Sequence, residues 1–102
     1  MTEKIYTIEE IKEILKKILK KFPVYKVILF GSYAKNSATP KSDIDFLIDT
    51  KESLMGFKFF SLVTKIEDEF NKPVDAFEKV EIIEGSKIDE EIKNTGVVVY
   101  ER

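Results

Sequence analysis

Two aspartates, Asp43 and Asp45, stand two residues apart at the head of an apolar run, Ile44 to Ile48. On a strand, positions i and i+2 point the same way, so both carboxylates can serve one divalent cation. Upstream, Gly31-Ser32 follows a second apolar run, Val24 to Phe30. A small turn closing a strand can aim backbone N–H groups and a hydroxyl at phosphate oxygens. A phosphate cradle beside paired carboxylates is the equipment of metal-assisted phosphoryl chemistry. A third carboxylate, Asp75, sits inside the short apolar run Val74 to Phe77. A buried charge is costly there unless it has a partner, and a shared cation would supply one.

Composition narrows the chemistry further. The 102 residues contain no histidine and no cysteine. Ser-His-Asp hydrolysis, Cys-His catalysis, histidine-ligated zinc, thiolate sites and disulfides are therefore excluded. A metal here must be held by oxygen, which favours Mg²⁺, Mn²⁺ or Ca²⁺. Charged residues make up 35% of the chain and hydrophobic ones 43%, the balance of a soluble globular domain. No apolar run approaches the roughly 20 residues that span a bilayer. Charges interrupt the N-terminus, so no signal-peptide pattern forms. The expectation is one domain over 1–102, with no membrane association and a cytoplasmic location. The net charge of −2 divides into +5 over 1–42 and −7 over 43–102. So acidic a second half argues against broad nucleic-acid binding.

The elements that must position these residues are legible in the periodicity. Thr7-Ile8-Glu9-Glu10 is a capping box. Ile8, Ile11, Ile14, Leu15, Ile18, Leu19 and Phe22 recur at helical spacing, which predicts a helix over about 8–21 that Pro23 stops. Strands follow at about 24–30 and 43–49, with a short helical turn after Ser32 and a loop between them. A connection this short favours antiparallel neighbours over a parallel crossover. A second helix is expected over 53–70, with Met55, Phe59, Leu62, Val63, Ile66 and Phe70 on its buried stripe. A strand at 73–78, a helix at 87–94 and a last strand at 97–100 complete the chain. The expected fold class is α+β: a small mixed sheet with helices packed on one face. Phe57 and Phe60 fall off the buried stripe, three residues apart on the second helix. They are expected to form a contact surface for a partner or a second copy of the chain.

The window 31–48 resembles the nucleotidyltransferase family of the DNA polymerase beta superfamily. Its pattern is an apolar strand, Gly-Ser-x-Ala-x-Gly, a polar stretch, then Ser-Asp-x-Asp and a second apolar strand. Gly31-Ser32-Tyr33-Ala34-Lys35-Asn36 matches the first part, with Asn36 in the place of the usual glycine; asparagine tolerates the left-handed conformation well. Ser42-Asp43-Ile44-Asp45-Phe46-Leu47-Ile48 matches the second part. The resemblance implies a polymerase-beta-like fold and Asp43, Asp45 and Asp75 as catalytic ligands of two Mg²⁺ ions. It implies Gly31, Ser32, Lys35 and Ser42 as the nucleotide-binding set. The chain's length points to the minimal nucleotidyltransferases, many encoded beside helical HEPN proteins as antitoxin and toxin. That implies ATP as substrate, AMP as the transferred group and a tyrosine hydroxyl of a HEPN partner as acceptor. Two other readings stand beside this one. The chain could be a non-catalytic antitoxin that neutralises a partner by contact, or one subunit of a small-molecule transferase of the aminoglycoside-modifying type.

Overall fold

A computed structural model describes residues 3–102. Helix α1 spans Ile8–Ile18. The Thr7 hydroxyl accepts the Glu10 N–H at 3.1 Å, and the Glu10 carboxylate accepts the Thr7 N–H at 2.9 Å. This capping box satisfies two N–H groups that helix geometry leaves orphaned. The helix tightens into a 3-10 turn over Leu19–Lys21 before Pro23. Its apolar stripe buries Ile11, Leu15 and Ile18, each contributing roughly 1.5–3 kcal/mol.

Four strands follow: β1 (Lys26–Phe30), β2 (Ile44–Asp49), β3 (Val74–Glu78) and β4 (Val97–Glu101). They form one sheet in the order β3-β2-β1-β4. β1 pairs antiparallel with β2, as its short connection predicts, and antiparallel with β4. β2 pairs parallel with β3; a parallel neighbour needs a crossover, and helix α2 (Phe57–Phe70) supplies it. α1 and α2 cover the face bearing Val27, Leu29, Ile44, Phe46 and Ile48, and this layer is the core. Helix α3 (Lys87–Thr95) meets β1 instead at Ile28, where a side chain on Gly96 would crowd Ile28 Cγ2 at 2.8 Å.

The second helix starts four residues later than its apolar pattern suggests. Lys51, Glu52 and Gly56 all have positive φ, at 52°, 64° and 56°. That backbone cannot be helical. Met55 consequently lies outside the helix and is 49% exposed, while Leu54 takes the buried place. At the other end Asn71, at φ 54°, ends α2 in the left-handed conformation. The Tyr6 hydroxyl donates to the Phe70 carbonyl there at 2.7 Å. Among the described residues no helix is long and apolar enough to cross a membrane.

Candidate active site

The parallel register places Asp45 directly opposite Asp75. In-register neighbours on adjacent strands lie about 4.8 Å apart and project to the same side. On β1 the residue opposite Asp45 is Phe30, the last of the strand. Gly31 comes next, and it has φ 75°. A Cβ at Gly31 would collide with Asp45 Oδ2 and lie 3.2 Å from its Cγ. Glycine is thus required here twice over, for the conformation and for the space the carboxylate occupies.

The chain then makes one helical turn. Lys35 N–H donates to the Gly31 carbonyl at 3.1 Å, and Ser37 N–H to the Ser32 carbonyl at 2.9 Å. Asn36 ends it at φ 58°, the conformation glycine usually supplies at this point. Tyr33, inside the turn, is 4% exposed and roots it in the core. The turn's bond to Ser32 uses its carbonyl.

Charge at the site is one-sided. Burial pushes the Asp45 carboxyl up to about 6, and the nearby Asp75, Asp43 and Glu91 push the same way. All candidate ligand atoms are carboxylate oxygens, so the donor set suits a hard divalent cation. Among the described residues, no three carboxylates converge on one point as a finished cage. Asp45 and Asp75 form the close pair. Asp43 lies one residue before β2, exposed on the end of a loop.

A family model described as "Polymerase beta, Nucleotidyltransferase" matches residues 9–102. The chain belongs to that family. Among relatives of this nucleotidyltransferase is a Methanocaldococcus jannaschii protein with the provisional name protein adenylyltransferase. It is 48% identical over 73 residues, which span 68% of this chain and 74% of the relative. Among solved structures, a toxin–antitoxin crystallised with AMP-PNP superposes with a TM-score of 0.71. The match has 19% identity and covers 89% of this chain and 73% of that one. A tri-AMPylated Shewanella oneidensis HEPN toxin in complex with MNT antitoxin gives 0.59 at 18% identity, covering 93% and 70%. At such identities the likeness is one of fold.

Two expected nucleotide contacts of the nucleotidyltransferase site are engaged otherwise. Ser42 closes its own loop: Thr39 N–H donates to Ser42 Oγ at 2.8 Å, and Ser42 N–H to the Thr39 carbonyl at 3.0 Å. Lys35 Nζ lies 3.8 Å from Glu91 Oε1 of α3. Glu91 is the residue that sequence reasoning missed. It belongs to a helix 46 positions after Asp45, and nothing in its local pattern reports that α3 folds back beside β1. Phe57 and Phe60 are 90% and 68% exposed, as their place off the stripe predicts. They line a shallow apolar hollow of about 410 Å³ with Gly56. Phe60 also borders a cleft of about 390 Å³ whose wall includes Asp75.

Proposed function

We propose that this chain transfers AMP from ATP to a hydroxyl on a HEPN-type partner protein, and so acts as the antitoxin of the pair. One observation carries the reading: Asp45 and Asp75 face each other in register at the mouth of a turn whose glycine is pressed against Asp45. The names of its relatives support AMP as the transferred group, and the toxin–antitoxin structures that share its fold support the HEPN partner.

Two Mg²⁺ ions, or Mn²⁺, held by Asp43, Asp45 and Asp75 would neutralise the triphosphate and polarise the acceptor hydroxyl. The residues of the chain do the rest. The Gly31-Ser32 turn admits the phosphates closely, and Ser32 donates its hydroxyl and N–H to the β- and γ-phosphates. Lys35, when it leaves Glu91, offers a point charge to the same oxygens. Asp75 receives the acceptor's proton as its oxygen attacks the α-phosphorus and pyrophosphate departs. Holding the two reactants in line supplies most of the acceleration, and no covalent enzyme intermediate is needed. Ser42 acts by shaping the loop that carries Asp43.

The exposed phenylalanines favour a second component. Phe57 and Phe60 are anchors for the partner, or for a second copy of the chain, and Phe60 borders the cleft whose wall includes Asp75. A contact-only antitoxin would need this patch and no carboxylates. The deciding test is incubation with ATP, Mg²⁺ and a candidate HEPN-type partner protein, followed by intact mass of both chains. The expected result is the gain of AMP on the partner, lost in Asp75→Ala. Neutralisation of the partner without any mass gain would sink the enzymatic reading and leave the contact-only one.

A further inference from the structure

Lys72 is a buried cation that the proposed chemistry does not use. It is 1% exposed and ranks among the largest fully buried side chains. Burying an ammonium costs several kcal/mol unless the group finds partners. The Lys72 Nζ donates to the carbonyl of Pro40 at 2.8 Å, across 32 positions of sequence.

Pro40 lies in the Thr39–Ser42 turn, which leads straight into Asp43. That turn is otherwise held by bonds within itself, from Thr39 N–H to Ser42 Oγ, Ser42 N–H to the Thr39 carbonyl, and Lys41 N–H to Thr39 Oγ1 at 3.3 Å. Such a turn keeps its own shape but not its place relative to the sheet. Lys72 supplies the place. It sits between Asn71, the left-handed end of α2, and Pro73, whose carbonyl accepts the Ile44 N–H at 3.2 Å. Residues 72 and 73 therefore grip residues 40 and 44 on both sides of Asp43. The same short segment leads within two residues to Asp75.

We infer that Lys72 is a positioning residue: its ammonium clamps the Thr39–Ser42 turn so that Asp43 is delivered to the Asp45–Asp75 pair. The inference rests on the reading of those aspartates as cation ligands. It accounts for a charged side chain in a place where an apolar one of equal length would fold as well or better. It also supplies what the close pair lacks, a third carboxylate held within reach from outside the strands.

The test is a double-mutant cycle on binding of Mn²⁺·ATP, with the melting temperature of each protein as the structural control. The variants are Lys72→Met, Asp43→Asn and the two combined. Lys72→Met is expected to weaken binding at least tenfold in the wild-type background and less than twofold in the Asp43→Asn background, with its melting temperature equal or higher. A role in the fold alone would instead lower the melting temperature and weaken binding equally in both backgrounds, and that result overturns the inference. Lys72→Gln repeats the cycle if the methionine variant does not fold; failure of both to fold assigns Lys72 to the core and ends the positioning role. Absence of Mn²⁺·ATP binding by the wild type defeats the functional reading together with this one. Normal wild-type binding without coupling between positions 72 and 43 defeats this one alone.

Discussion

Asp45 carries the strongest electrostatic signature of the site. Its carboxyl titrates near 6, above the ordinary 3.8, because it is partly buried and faces Asp75, Asp43 and Glu91. The folded state therefore holds a proton that the unfolded chain has released. Stability from this group is full below about pH 4 and is lost as pH rises through 6. The cation-free protein should melt lower at pH 7 than its other groups alone would dictate, and Asp45→Asn should raise that melting temperature and flatten the slope between pH 4 and 6. Calorimetric scans across that range check it; an unchanged slope in the variant would show that Asp45 is not the titrating group. Divalent-cation binding runs in the opposite direction and weakens as pH falls through 6. At Gly31 the expected effect is steric. Gly31→Ala forces a side chain into a positive-φ position, costing about 1–2 kcal/mol, and drives it into the Asp45 carboxylate. Chemical denaturation and a nucleotide-binding titration should both register the loss.

Helix α2 illustrates how one element can serve two surfaces. Its buried stripe of Phe59, Leu62, Ile66 and Phe70 is complete without Phe57 and Phe60. The exposed pair should therefore be nearly irrelevant to stability. Phe57→Ser combined with Phe60→Ser should change the unfolding free energy by less than about 0.5 kcal/mol per site. In the partner-bound state the same change should weaken assembly by at least tenfold, since truncated anchors at an interface centre commonly cost more than 1 kcal/mol each. Denaturant unfolding of the isolated chain and a binding titration with the proposed HEPN-type partner separate the two effects. A stability loss of several kcal/mol would return both rings to the core. The late start of this helix belongs to the same scale. Three positive-φ residues in six positions build a turn whose Leu54 N–H is taken by Thr50 Oγ1 at 3.4 Å, so the apolar periodicity before Gly56 has no helix to act on.

At the scale of the molecule, the site exists because a mixed sheet brings together the ends of three strands. Antiparallel β1–β2 sets Gly31 against Asp45, and parallel β2–β3 sets Asp75 against Asp45. A ligand that binds this junction binds the folded state alone and should stabilise it by mass action. Nucleotide should thus raise the melting temperature in the presence of Mg²⁺ and not in its absence. Ser32→Ala should reduce that rise while leaving the ligand-free melting temperature within a degree or two, because the turn's bonds use the Ser32 carbonyl rather than its hydroxyl. Thermal scans of both proteins with and without Mg²⁺ and ATP test this. A full nucleotide-induced rise in Ser32→Ala would remove that hydroxyl from the phosphate site.

Much of this protein is determined by its sequence, for local reasons. The capping box at Thr7, the stripe of α1 and the Gly31-Ser32 turn each depend on residues within one or two turns of one another, whereas Asp43, expected on the strand beside Asp45, lies in the loop before β2. Steric and periodic rules act over that distance. Asn36 could be read the same way, since its tolerance of positive φ is a property of the residue itself. The tertiary structure decided the rest. The register of Asp45 with Asp75 depends on α2 crossing from one strand to the next. The approach of Glu91 to Lys35 and Asp45 depends on α3 folding back onto β1. The burial of Lys72 against Pro40 depends on where α2 ends. Each joins residues separated by 30 positions or more, and no local pattern encodes such a distance; the packing of the whole core does.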